Sequence, residues 1–330
     1  MSQVVPAEPV KTKRAIEIAY DVFGDRGDPL VLIMGIGAQR VFWDVAFCEQ
    51  FVAAGFQVVR FDHRDIGESS RFDGRGWAPA GSAAEGQRGG IAGRAPKPMP
   101  LLARRLVGLP VAAPYTLSDM ADDVVGVLDE LGWARAHLMG VSLGGMVGQH
   151  LAIEHPARVA TLTSVMSTPG SRRYLPEPRA LGALFAPPPK SLEEAGEHVA
   201  KMFSIIGSQA YPVDAARLKR IGERSYAAGL SPHGFLRHFA AVLASGDRSA
   251  KLRTCHVPTL VIHGTRDPMF PLRAGRDLAN LMPDATWLPI QGMGHDLPES
   301  LWPTFVSAVR HHADGARGGT RTRTPYGKPF

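Results

Sequence analysis

The stretch Gly140-Val141-Ser142-Leu143-Gly144-Gly145 decides how this chain is read. Before it, Arg135-Ala136-His137-Leu138-Met139 reads as a short buried strand. After it, Met146-Val147-Gly148-Gln149-His150-Leu151-Ala152 reads as a helix. Gly-x-Ser-x-Gly between a strand and a helix is the pattern of a nucleophile elbow. The reason is steric: the turn is so tight that its flanking side chains must be nearly absent, which suits Gly140 and Gly144. The hydroxyl of Ser142 is then pushed out at the top of a sheet. The helix that follows offers unpaired N–H groups and the positive end of its dipole. The bland alternative is a close-packed glycine turn with an incidental serine.

Working outward, Leu30-Val31-Leu32-Ile33-Met34 is an unbroken apolar run, as a strand buried on both faces requires. Phe56 to Phe61, Val159 to Met166, Thr259 to His263 and Thr286 to Ile290 read the same way. Ala15 to Phe23 reads as an edge strand. Helical patterns lie between them over Val41 to Ala54, from a Thr116-Leu117-Ser118-Asp119 capping box to Leu131, and over Leu301 to His312. Alternating strands and helices with short links predict a parallel sheet covered on both faces. From about residue 171 to 250 the strands stop and helical patterns take over, with candidates at Leu192 to Ile206, Ala215 to Ala227 and Phe235 to Leu243. This segment reads as an inserted helical cap. Phe72 to Pro114 is a long Gly/Ala/Pro/Arg-rich excursion with one short helix expected at Leu101 to Leu109. The division expected is therefore an unstructured 1–14, a core of 15–170 and 251–312, a cap of 171–250 and an unstructured basic tail of 313–330.

In open α/β sheets, sites form at the carboxyl ends of strands. A serine nucleophile needs a base, and the base an orienting acid. Thr265-Arg266-Asp267-Pro268 follows one strand and Gln291-Gly292-Met293-Gly294-His295 follows the last. Ser142, Asp267 and His295 thus form a candidate triad in the chain order Ser, Asp, His. Asp267 before a proline could instead be a turn residue, and His295 a loop histidine. His63 also follows a strand, and Asp62-His63-Arg64-Asp65 reads as a hydrogen-bonding turn that shapes the site's wall. His233 and His238 lie in the cap and read as surface or packing residues. The oxyanion donors expected are the N–H groups of Leu143, at the elbow, and Ile36, in the loop opened by Gly35. Gly35-Ile36-Gly37 is no dinucleotide loop, because Arg40 stands where the third glycine belongs. The cap's Phe185, Met202, Phe203, Phe235 and Phe239 could line the pocket or simply pack.

Composition narrows the class. Of 330 residues 45% are hydrophobic and 21% charged, the balance of a globular protein. The net charge is +6, and from Asp314 onward Arg317, Arg321, Arg323 and Lys328 give 4 − 1 = +3 of it. The basic balance is therefore no nucleic-acid footprint. Cys48 and Cys255 stand alone, so neither a disulfide framework nor a metal site is expected, and no cofactor. No secretory signal or membrane span is visible, which makes the expected location cytoplasmic and the partner a small-molecule ester. Nothing in the sequence sets an oligomeric state.

These stretches together resemble the α/β-hydrolase superfamily, and within it the aclacinomycin methylesterase-like group and related actinobacterial esterases and lipases. The resemblance is carried by Leu32 to Gln39, by Arg60-Phe61-Asp62-His63-Arg64-Asp65-Ile66-Gly67-Glu68-Ser69, by Asp119 to Asp123, by the elbow, by Pro258 to Pro271 and by Gln291 to His295. It covers about residues 14–170 and 251–312. It implies Ser142, Asp267 and His295 as the triad, Ile36 and Leu143 as oxyanion donors, and hydrolysis of apolar or bulky carboxylic esters through an acyl-enzyme. The superfamily's common His-Gly oxyanion loop is Met34-Gly35 here. The same triad also serves cofactor-free perhydrolases and haloperoxidases, C–C bond hydrolases and lactonases. A ligand-binding protein on the same fold is the alternative outside catalysis.

Overall fold

The computed structural model describes residues 5–6, 10–11, 16–72, 77–78 and 97–317. Eight strands form the main sheet: β1 (Val5–Pro6), β2 (Tyr20–Phe23), β3 (Asp28–Ile33), β4 (Phe56–Phe61), β5 (Ala136–Val141), β6 (Val159–Val165), β7 (Thr259–Gly264) and β8 (Ala285–Ile290). Their spatial order is β1-β2-β4-β3-β5-β6-β7-β8. The neighbours β4-β3-β5-β6-β7-β8 pair in parallel, while β2 runs antiparallel to both of its partners. The apolar runs follow from this placement. In β3, Val31 and Ile33 face one core and Leu30 and Leu32 the other, so alternation of polarity would leave a buried polar face. At the outer edge, β8 accommodates Pro289, whose missing N–H would break a ladder in a central strand.

Helices cover both faces. On one lie α3 (Leu117–Glu130), α4 (Leu143–Glu154) and α10 (Leu272–Leu281); on the other lie α1 (Val45–Ala53) and α11 (Trp302–Arg317). The capping box opens α3: the Thr116 N–H donates to Asp119 at 2.8 Å, and the Asp119 N–H to the Thr116 hydroxyl at 3.4 Å. Its buried face is Leu117, Met120, Ala121, Val124, Val127 and Leu128, a stripe at helical spacing. On the opposite face Phe47, Phe51 and Phe305 are fully or almost fully buried, each contributing about 1.5–3 kcal/mol of transfer free energy.

The remaining described α-helices are α2 (Pro98–Leu106), α5 (Pro178–Leu184), α6 (Leu192–Ile206), α7 (Ala215–Ala227), α8 (Pro232–Ser245) and α9 (Ser249–Leu252). All but α2 lie in the segment from 171 onward that interrupts the strands between β6 and β7. The structure departs from expectation at three places. Ala15 to Phe23 is no edge strand, because Val5–Pro6 pairs outside β2. Residues 1–14 are not wholly unstructured, since Val10–Lys11 also pairs with Glu17–Ile18. The last helix runs to Arg317, five residues past His312, so the segment 313–330 does not begin as a free tail. Arg310 and Asp314 form an i,i+4 pair at 2.6 Å and Arg310 also reaches Asp28 at 2.8 Å, which ties that turn to the core. Most of the excursion, residues 73–76 and 79–96, and the basic end, 318–330, lie outside the described residues. Among the described residues no helix is long and apolar enough to cross a membrane.

Candidate active site

The end of β5 turns into α4 at Ser142, whose backbone sits at φ 54° and ψ −117°. A serine at positive φ is strained by about 1–3 kcal/mol, a cost that only surrounding structure can impose. That structure is explicit. A Cβ on Gly140 would lie 2.3 Å from the Gly144 carbonyl oxygen, and one on Gly144 only 2.0 Å from that of Ile33. The turn is further held by the Ser142 N–H on Val165 at 2.9 Å and by the Ser167 hydroxyl donating to the Ser142 carbonyl at 2.8 Å. Ser142 is half-buried and faces a cavity of about 780 Å³.

His295 lines the same cavity. Its Nδ1 is 2.8 Å from Oδ2 of Asp267, in the loop after β7. The other oxygen of that carboxylate, Oδ1, accepts the N–H groups of Met269 and Phe270 at 2.8 and 2.9 Å. With one oxygen fixed by backbone, the other is aimed at His295, and the Asp267 side chain is fully buried. An imidazole whose Nδ1–H is so held presents Nε2 as the free acceptor. A second histidine, His263, lies 3.5 Å from the same Oδ2, but it is fully buried and its Nε2 bonds Phe270.

The His295 loop is clamped from the cap side. The His295 N–H donates to the Ile206 carbonyl at 2.7 Å, at the end of α6. The Ser208 hydroxyl donates to Asp296 and accepts the Gly294 N–H at 2.8 Å, while the Ser208 N–H reaches Asp296 at 3.0 Å. Burial raises the Asp296 carboxyl above its ordinary range, and the Ser208 bonds pull against that rise. Neither Ser208 nor Asp296 stood out in the sequence. Adjacency to His295 was the only signal for Asp296, and Ser208 had none.

The loop after β3 lies against the elbow: a Cβ on Gly35 would sit 3.6 Å from that of Ser142. Among the described residues neither the Ile36 nor the Leu143 N–H has a protein partner. Both residues line the cavity beside Ser142. Two buried histidines fix this loop. His63 Nε2 bonds the Met34 carbonyl at 2.9 Å. His238, on α8, bonds the Arg64 carbonyl through Nε2 at 2.8 Å and accepts the Gly37 N–H at Nδ1, at 3.3 Å. The rings meet edge to face at 5.6 Å. An imidazolium has no free acceptor, so His238 must be neutral to hold Gly37. Burial, first of all, lowers His63 to about 3 and His238 to about 4. His63 therefore shapes the wall, whereas His238 is more than a packing residue. Its role arises from a contact across 201 positions that no local pattern signals.

The polar turn after β4 is almost wholly buried. Arg64 makes a bidentate pair with Asp123 at 2.6 and 2.7 Å, and Arg237 of α8 pairs with both oxygens of Asp65 at 2.6 and 2.8 Å. Asp65 also accepts the Tyr115 hydroxyl at 2.7 Å. Burial alone would raise the Asp65 carboxyl, but Arg237 overrides it and holds it below the usual carboxylate range. Helix α8 and the turn after β4 are thereby joined directly behind the loop of residues 35–37. The cap's Phe185, Met202, Phe203, Phe235 and Phe239 all line the cavity, with Phe185 packed edge-on against Phe235 and Phe239. So do Pro98, Leu102 and Leu106 of α2, from the excursion. Among the described residues no group of three or more His, Cys, Asp or Glu could hold a metal ion.

A mostly parallel sheet in this order, with a strained serine at the turn from β5 into α4 and helices interrupting the strands between β6 and β7, defines the class. The chain belongs to the α/β-hydrolase-fold family, whose sequence profile matches residues 28–300. It is 28% identical to a rhodomycin D methylesterase of Streptomyces peucetius, over 92% of this chain and 97% of that one. It is 29% identical to a pimeloyl-acyl-carrier-protein methyl ester esterase of Chromobacterium violaceum, over 54% of this chain and 70% of the relative. Among solved structures it is similar to an enol-lactonase from Burkholderia xenovorans, with a TM-score of 0.63, 22% identity, and coverage of 93% and 99% of the two chains.

Proposed function

We propose that this protein hydrolyses carboxylic esters with an apolar or bulky acyl part, through an acyl-enzyme on Ser142. The observation that carries the reading is that a strained Ser142 and His295 line one cavity, with His295 Nδ1 2.8 Å from Asp267. Ser142 Oγ attacks the ester carbonyl carbon while His295 Nε2 takes its proton. The carbonyl oxygen becomes an oxyanion held by the Ile36 and Leu143 N–H groups, each donor lowering the barrier by roughly 3 kcal/mol. Collapse expels the alcohol, which carries the proton from His295. Water, deprotonated by His295, then attacks the acyl carbon and frees the acid. Asp267 fixes the tautomer and stabilises the imidazolium.

The large, mainly apolar-lined cavity supports a bulky acyl group, and the similarity to two methyl ester esterases supports a small alcohol. The test is a panel of methyl esters of increasing acyl bulk beside nitrophenyl esters of increasing chain length. The expected result is turnover that rises with acyl size, and its loss by at least about 10³-fold in Ser142→Ala. Wild-type rates in that variant, or no turnover on any ester, would contradict the proposal.

A further inference from the structure

Six large hydrophobic side chains are well exposed among the described residues, and five of them belong to α2, the turn after it and the loop that Arg172 ties to it; two of these, Leu106 and Leu175, also line the cavity. Met99 and Leu106 are on α2, Val107 and Leu109 in the turn after it, and Leu175 on the facing loop, with exposures of 43–71%. Helix α2 has no buried residue, yet its Pro98, Leu102 and Leu106 roof the cavity. It is tied down reciprocally: Arg105 donates to the Gly170 carbonyl at 2.8 Å, and Arg172 to the Leu106 carbonyl at 3.1 Å. A folded, tethered helix that leaves its apolar residues in water presents a surface to something outside the chain.

Charge selects the partner. From Gly86 to Ser118 the sequence has no Asp or Glu but carries Arg88, Arg94, Lys97, Arg104 and Arg105. Arg105 and Arg172 lie close enough to repel, and Asp247 is the carboxylate that reaches Arg105. Large apolar side chains interleaved with Arg and Lys, in a stretch of sequence without carboxylates, are what binds an anionic bilayer, where the side chains enter the headgroup boundary and the cations meet lipid phosphates. A protein partner would have to place carboxylates opposite these arginines.

We infer that the face formed by α2, its following turn and Leu175 docks on an anionic lipid surface, so that the cavity mouth opens onto the membrane. An apolar ester dissolved in that membrane would pass along Leu102 and Leu106 without crossing water. Docking itself does not depend on ester turnover, so it is tested by binding alone.

The test is co-sedimentation of the full chain with phosphatidylcholine vesicles, with and without phosphatidylglycerol. Binding is expected only where phosphatidylglycerol is present, and weakened by salt. The triple variant Met99→Ser, Val107→Ser, Leu109→Ser, none of which lines the cavity, is expected to bind about tenfold or more weakly with an unchanged melting temperature. Arg104→Ser should cost about fivefold, the equivalent of one surface cation at a membrane. The inference is overturned if the wild type ignores vesicles, or binds neutral and anionic ones alike. It is overturned equally if the triple variant binds like the wild type, which would move the contact to the basic C-terminal residues. Light scattering that finds a dimer, reduced to a monomer by the same three serines, would assign the face to a second copy instead.

Discussion

Ser142 faces the cavity with a strained backbone, and in the proposed mechanism the residues around it divide between chemistry and positioning. Ser208 belongs to the second group. Ser208→Ala removes the hydroxyl that bridges Asp296 and the Gly294 N–H, leaving buried polar atoms unpaired at about 1–3 kcal/mol. Loosening of the His295 loop is expected to lower kcat about tenfold with little change in KM, read by steady-state kinetics on a nitrophenyl ester. An equal fall in Ser208→Thr, which restores the hydroxyl, would argue against positioning. The three residues of the candidate triad were legible in the sequence because each follows a strand and sits in a short, glycine-marked loop. Ser208 and His238 were not, because their partners lie 86 and 201 positions away, and neither a serine in a loop between helices nor a histidine within a helix has a distinguishing pattern.

At the scale of elements, α8 fastens the cap to the core through Arg237 and Asp65. Arg237→Ala leaves a fully buried carboxylate without its cation, which is expected to destabilise the protein by about 3–5 kcal/mol in a denaturant titration. Arg237→Lys should recover only part of this, since one ammonium does not reproduce a bidentate pair. A change below about 1 kcal/mol for Arg237→Ala would show the pair to be dispensable. The cap's aromatic trio makes a different prediction. Phe185→Ala opens space next to Phe235 and Phe239, and is expected to raise kcat/KM for the bulkiest methyl esters relative to acetate by about 10-fold or more. An unchanged ratio would place specificity elsewhere. The element pattern was readable because buried parallel strands leave continuous apolar runs, and α6 and α7 fall where helical spacing set them. The first strands were not, because Val5–Pro6 and Val10–Lys11 are two-residue pairings, too short to carry a period.

The whole molecule buries an unusual set of neutral histidines. Burial, first of all, lowers His63 to about 3, and His137, His238 and His312 to about 4. Their unfolded values lie near 6.5, so between about pH 6.5 and 4 the unfolded chain binds protons that the folded chain refuses. Stability contributed by these groups is therefore complete above about pH 6.5 and lost as the pH falls toward 3–4. Melting temperature should drop over that window, and calorimetry in buffers of different ionisation enthalpy should find net proton uptake on unfolding near pH 5. A flat melting temperature from pH 7 to 5 would contradict this. The proposed hydrolysis requires covalent chemistry at one atom, Ser142 Oγ. Acid quenching of a nitrophenyl ester reaction within its first turnover, followed by peptide mass spectrometry, tests it most directly. The acyl mass is expected on the peptide containing Ser142, at that residue, and is expected to be absent in Ser142→Ala. Acylation at another residue, or release of acid with no acyl-enzyme at any time point, would contradict it.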